Sequence, residues 1–342
     1  MTEQSTKVVV AAGHHVASDR IETASLEELI FKTSSIAIAR AGLTPEDVDA
    51  VVISGNDQTD GRIISCMVTA GAAAGVGKNV TTIASAPEHA FAYAYLRLLS
   101  GQGTNALVVG WSKPSESVFP EHAELVSADP FLVRPLGMNH VIASALQASA
   151  LLHREADPTP VTSTDNAYVA WPLTADSYHG HADGVCAMVM ELRDATDPRP
   201  GAWVRGVGWA MDRYDLGDRE DLEAGGLDAA MLQASKQAGP SFGPIDTLDT
   251  YAVGAPNERR LAARLAESLG SDTTQVFSSQ TEPSPDFAAA SSRSGGQRNG
   301  CWIPGGPVPG TTRRLWPPWD SLLRARPWSS CRTCRRHRPC AT

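Results

Sequence analysis

The chain has no run of apolar residues long enough to cross a bilayer. Its opening, Met1 to Lys7, is polar and contains Glu3, and it lacks the basic start and apolar stretch of a secretory signal. A cytoplasmic protein without a membrane segment is therefore expected. Positive charge is also short. There are 29 Lys and Arg against 38 Asp and Glu, a net charge of −9, which argues against broad nucleic-acid binding. What is present has a globular average: 42% hydrophobic and 20% charged residues over 342 positions. That length suits one large domain or two of ordinary size.

The average hides a split. From Ser291 to Thr342 there are ten Arg, no Lys and one acid, Asp320, a balance of +9 that leaves −18 for the rest. Four of the six Cys and four of the eight Trp lie there too. The stretch has no hydrophobic period and carries seven Pro, from Pro304 to Pro339. Its bias is what a GC-rich gene gives when read out of frame. Resequencing the 3′ end of the gene tests that hypothesis; an intact frame with no better alternative defeats it. The tail, 286–342, is expected to be disordered or frame-shifted. Cys331, Cys334, His337 and Cys340 are four metal-ligand types on ten residues. Structural zinc sites usually join two separated pairs across a folded loop, so accidental composition explains this run better. His179 and His181 read as loop residues. No metal is expected.

Residues 1–285 alternate between strand and helix patterns. Lys7 to Ala12 is a β-branched run ending at Gly13. Ser25 with Glu28 has the spacing of a capping box and opens a helix that Gly42 ends. Thr44 to Asp47 is a single turn, and Ala50 to Ile53 a strand. Gly61 to Gly75 suits a helix and Val80 to Ile83 a strand. Pro87 to Leu99 is a helix with Pro at its start and Gly101 after its end. Ala106 to Gly110 is a buried strand, Met138 to His153 a helix, and Gly184 to Leu192 a long apolar strand. After the linker Thr196 to Pro200 comes a second block: strand Ala202 to Gly206, helix Leu227 to Ala238, strand Thr247 to Val253 and helix Asn257 to Leu269. This order favours a parallel or mixed sheet covered by helices. The expected division is 1–195 for a first half and 196–285 for a partial second half.

Several of these segments together resemble the thiolases, in their sterol-carrier or lipid-transfer branch. Ala41 to Val52 is similar to the family's first helix-to-strand turn. Pro87 to Gly101, followed by Asn105 to Gly110, is similar to its central helix and core strand. Trp171-Pro172-Leu173 with Ala182 to Met190 resembles the close of the first half, and Arg205 to Ala210 the opening of the second. The match spans roughly residues 8–275 and rests on order and spacing, because the Gly-Leu-Thr-Pro-Glu-Asp turn at 42–47 also occurs in related ketosynthases. The resemblance implies an α/β thiolase-like fold, two βαβαβαββ halves in a five-layer αβαβα arrangement with the second half incomplete. It further implies a homodimer acting on acyl-CoA thioesters, with no cofactor besides that substrate.

A thiolase needs a Cys at a helix N-terminus, where the dipole and free N–H groups favour the thiolate. The family position falls near Ala84, and Ile83 to His89 holds no Cys. Ser85 reads either as a substitute nucleophile lacking an identifiable base or as a helix cap. His89, in the first turn with Glu88, reads as a neutral group at the mouth of the site or as ordinary helix packing. Cys66 and Cys186 look like small core residues. The family's second-half His corresponds to Tyr251, after the strand around Ile245 to Thr250. Thiolase-like retro-aldolases lack the Cys and use a Tyr there, working with a small OB-fold partner. Tyr251 reads equally as a half-buried strand aromatic; Asn257 and Glu258 are weaker candidates. The family's closing Asn-Pro-x-Gly-Gly and Gly-His-Pro block is missing after Val276, and His337 is the only His after His181. The best functional reading is thus a retro-aldol-cleaving subunit, and the alternative is a non-catalytic or truncated subunit that binds a partner.

Overall fold

The computed structural model describes residues 6–18, 20–55, 57, 65–117, 122, 125–126, 128–154, 168–174, 182–213, 225–239, 248–250, 261, 263–265, 276–278 and 298–304. The chain divides between Gly306 and Pro307 into two units, and all the described residues lie in the first. Its strands are β1 (Thr6–Ser18), β2 (Ala50–Ser54), β3 (Asn79–Ile83), β4 (Asn105–Ser112), β5 (Tyr168–Ala170), β6 (Leu173–Thr174), β7 (Asp183–Asp194), β8 (Ala202–Met211), β9 (Leu248–Thr250), β10 (Val276–Ser278) and β11 (Arg298–Pro304). Its helices are α1 (Leu26–Arg40), α2 (Ser65–Ala72), α3 (Pro87–Leu99), α4 (His140–Arg154) and α5 (Gly225–Ala238). Seven strands form one sheet in the order β11-β8-β1-β7-β4-β2-β3; β9 and β10 pair in parallel, and β5 and β6 form a small hairpin.

The centre of the sheet is buried on both faces, as its sequence dictates. In β4, Leu107, Val109 and Trp111 point to one side, while Ala106 and Val108 point to the other. Such a strand reads as a continuous apolar run, because helices cover both faces. On the first face lies α1, contributing Leu26, Ile30 and Ile38, with α2 packed beside it. Its start is fixed as the Ser25 and Glu28 spacing predicts: Glu28 N–H donates to Ser25 Oγ at 3.2 Å, and Ser25 N–H donates to the Glu28 carboxylate at 3.1 Å. Its end needs a left-handed residue, and Gly42 supplies it at φ +75°.

The second face carries α3 and α5. Ala90, Phe91, Ala94, Tyr95 and Leu98 bury one stripe of α3 over Val52, Val108 and Met190. β8 pairs with β1 only at Ala202 and Trp203 and then turns away. Its freed backbone groups are taken up by α5: Gln237 Oε1 accepts from Val207 N–H at 3.0 Å, Gln237 Nε2 donates to the Val207 carbonyl at 2.8 Å, and Gln233 Oε1 accepts from Trp209 N–H at 3.0 Å. Gly206 and Gly208 permit this, since a Cβ at either would collide with the α5 backbone at Ala234 or Ala230.

Two elements differ from the expectation. β1 runs to Ser18, well past the apolar run that ends at Ala12, because β7 supplies a partner all the way from Thr6↔Asp194 to Ser18↔Asp183. And the tail, expected to lack regular structure, contributes β11, antiparallel to β8 from Arg298↔Met211 to Pro304↔Val204. Edge pairing is made by backbone groups and needs no hydrophobic period, and Pro304 sits at a register shift at the strand's end, where Pro is tolerated. Among the described residues no helix is long and apolar enough to cross a membrane.

Candidate functional site

The parallel strands β2, β3 and β4 end on the same side of the sheet, and α3 starts there, directly after β3. In open α/β sheets the crevice outside the carboxyl ends of the strands is the usual place for a ligand. α3 begins with Pro87 at its first position and Glu88 in its first turn, both suited to the positive end of the helix dipole. The approach to the sheet is tight. Gly110 on β4 lies under Pro87, and a Cβ on it would come within 2.7 Å of Pro87 Cβ and Cγ.

Ser85 is not the cap of this helix. The capping position is Ala86, with no side-chain cap bond. Ser85 N–H closes a tight turn onto the Ile83 carbonyl at 2.8 Å, and its side chain, only 9% exposed, turns to His89, with Oγ 3.1 Å from Nδ1. With Nδ1 unprotonated, Ser85 Oγ donates to it, the arrangement a general base requires. No base for Ser85 was expected from the sequence. The signal was present all the same: residues 85 and 89 are four apart across a helix start, the spacing at which side chains meet.

Cys186 carries a thiol rather than a disulfide and is half-buried on β7. The side chain of Cys66, and Tyr251, Asn257, Glu258, His179, His181 and the tail's Cys331, Cys334, His337 and Cys340, lie outside the described residues. Tyr251 comes directly after β9 in the sequence. Among the described residues no cluster of His, Cys, Asp and Glu is arranged to hold a metal. A cleft of about 350 Å³ lies elsewhere, between the end of β1 and the loop after β4, lined among others by Arg20, Ser25, Glu28, Lys113 and Glu116. Its charges are committed to neighbours: Arg20 to Glu22 at 2.8 Å and Lys113 to Glu116 at 2.6 Å. Ser25 and Glu28 cap α1. It reads as a polar surface hollow rather than a reaction site.

No family model matches the chain, and no curated protein matches it. Solved structures do. A chain of an Ltp2-ChsH2(DUF35) aldolase superposes with a TM-score of 0.58 at 17% identity, covering 77% of this chain and 77% of that one. The chain has a thiolase-like fold. A monomeric SCP2-thiolase like protein type 1 from Mycobacterium smegmatis is similar too, with a TM-score of 0.50, 14% identity, and coverage of 85% of this chain and 66% of that one. In this thiolase-like chain Ser85 and His89 flank the start of α3, close to Ala84, the position at which the family resemblance implies a cysteine.

Proposed function

We propose that the chain cleaves a carbon–carbon bond in a β-hydroxyacyl-CoA by a retro-aldol reaction, with Tyr251 exchanging the proton of the substrate hydroxyl. The hydroxyl proton passes to the Tyr251 oxygen, which gives up its own phenolic proton, as the C–O bond becomes a carbonyl. The bond between the α and β carbons breaks, and its electron pair enters the thioester as an enolate, which takes up a proton at the α carbon. The products are a ketone or aldehyde and a shortened acyl-CoA, so neither free CoA nor an acyl-enzyme is needed. The observation that carries this reading is the start of α3, which offers Ser85 and His89 but no thiol. The aldolase among the similar structures supports it. A homodimer, and a small OB-fold partner that closes the site, belong to the same reading. Tyr251→Phe is expected to lower turnover of a β-hydroxyacyl-CoA by roughly 10²–10⁴-fold, the usual worth of a general acid–base group. Full activity in that variant rules the assignment out.

A second reading rests on the 3.1 Å contact between Ser85 and His89. His89 Nδ1 would take the hydroxyl proton while Ser85 Oγ attacks the thioester carbonyl and CoA leaves. It predicts CoA release from a saturated acyl-CoA, abolished in Ser85→Ala. A non-catalytic subunit predicts no turnover of either substrate.

A further inference from the structure

The segment between β4 and α4 carries an exposed apolar knob. Phe131 is 85% exposed, Leu136 77%, Leu132 67% and Val126 55%. Leu132 and Leu136 are four residues apart on two successive helical turns, the spacing at which side chains lie side by side, and Phe131 is next to Leu132 in the chain. Apolar residues scattered singly over a surface need no explanation, but four within eleven residues form a patch. The patch is built rather than loose. Asp129 Oδ1 accepts from Phe131 N–H at 2.9 Å and from Leu132 N–H at 2.6 Å, closing the first turn. Arg134 holds the other side: Nε donates to the Leu125 carbonyl at 2.9 Å, and Nη2 to the carbonyls of Val126 at 2.6 Å and Ala128 at 3.1 Å. Gly137, at φ +68°, ends the second turn. The two charged residues of the stretch 125–139 are thus bound to the loop's own backbone, and its apolar side chains are left facing outward. A patch fixed in advance loses little conformational freedom on contact.

Charge and area both favour a second copy of the chain as the occupant. Residues 1–290 carry −18, so two copies repel each other wherever their charged surfaces meet. Leu125 to Asn139 balances one acid against one base and meets its own copy without that repulsion. A lipid surface fits less well, because a short apolar patch on an acidic protein needs cations facing anionic headgroups, and the loop's one cation is engaged by three carbonyls. The four side chains expose roughly 400–500 Å² of apolar surface, and a pair of copies about 800–1,000 Å², the range of weak, reversible association.

We propose that the chain self-associates through the knob formed by Val126, Phe131, Leu132 and Leu136, two copies meeting about a twofold axis with the same patch on each. The contact gives a surface to the homodimer of the proposed function and rests on that part of it alone. Neither Tyr251 nor turnover enters, so the dimer and the retro-aldol reaction can fail separately.

The test is sedimentation velocity of the full chain from about 1 to about 200 µM, a span that brackets the affinity expected of so small a contact. A monomer–dimer equilibrium is expected, with a Kd on the order of 10 µM. The double substitution Leu132→Ser with Leu136→Ser should weaken it at least tenfold. Arg134→Met, which keeps the apolar side chains but removes the bonds that shape the loop, should weaken it too. Val76→Ser, at an 81% exposed position before β3, should leave it unchanged. A wild-type chain that stays monomeric throughout, or a folded double variant that dimerises as tightly as wild type, overturns the proposal. So does a chain that is monomeric alone and associates only with phosphatidylglycerol vesicles or only with a different protein. Should the double variant fail to fold, hydrogen exchange of the wild-type chain still decides: amides of 125–137 must be better protected at the high concentration than at the low one, and equal protection overturns it.

Discussion

Replacing Gly110 by Ala puts the link between fold and site under direct strain. The added methyl would lie 2.7 Å from two carbons of Pro87, against about 3.5–4.0 Å for carbon atoms in favourable contact. Roughly 1 Å must be found. Pro87 is a rigid ring at the first position of α3, and Ala90 and Phe91 hold the next turn against the sheet. The gap can open only if the start of α3 backs away, taking His89 with it. Overpacking of this kind costs about 1–3 kcal/mol, offset by about 0.4–1 kcal/mol from the stiffer unfolded chain. A net loss of about 1–2 kcal/mol is expected. Gly13→Ala is the control on the same sheet: its Cβ would sit 3.4 Å from the Ala187 carbonyl oxygen and 3.7 Å from Met188 Cβ, ordinary contacts, so stability should stay within about 0.5 kcal/mol. Urea melts of both variants at matched m-values give the comparison. A Gly110→Ala protein as stable as wild type, or an equal loss in Gly13→Ala, would show that α3 is not seated on Gly110 in this way.

Ser25→Ala should lower stability by about 1 kcal/mol in thermal melts, because it removes the hydroxyl that caps α1. Leu98→Ala, which empties a fully buried position under α3, should cost about 2–5 kcal/mol in the same urea assay. Asp49 accepts from Thr104 N–H at 2.7 Å, Thr104 Oγ1 at 2.8 Å and Asn105 N–H at 3.2 Å, and these bonds, the Thr104 backbone first, hold its carboxyl below the ordinary 3.8. A lowered folded value means stability present above the unfolded value and lost as pH falls through the folded one. Melting temperature should therefore drop below about pH 4 by this route, and the drop should be shallower in Asp49→Asn. Ser85→Ala should leave retro-aldol turnover within about tenfold of wild type, whereas the CoA release expected of a serine nucleophile would be abolished in that variant.

Much of the first block is legible in the sequence where local chemistry and tertiary packing agree. Pro87 and Gly101 bracket α3 because Pro suits a first turn and Gly101 adopts φ +77° just past the cap. Ser25 and Glu28 mark α1 because both halves of the cap are side-chain bonds within one turn. What the apolar pattern misses is held by pairing at long range. The polar half of β1, with His14 and His15, is a strand because β7 lies beside it, and β11 is one because β8 has an open edge. The site obeys the same division. Ser85 and His89 stood out as residues, and their contact arises from helical spacing.

Whether this thiolase-like chain breaks a carbon–carbon bond without help from free CoA is decided by its products. A β-hydroxyacyl-CoA carrying a tertiary hydroxyl is incubated with the chain, with and without a co-expressed OB-fold partner, and with and without added CoA. A retro-aldol cleavage yields a ketone and a shortened acyl-CoA in equal amounts, at a rate unaffected by CoA. Cleavage that requires CoA, or no cleavage under any of these conditions, would rule the retro-aldol reaction out.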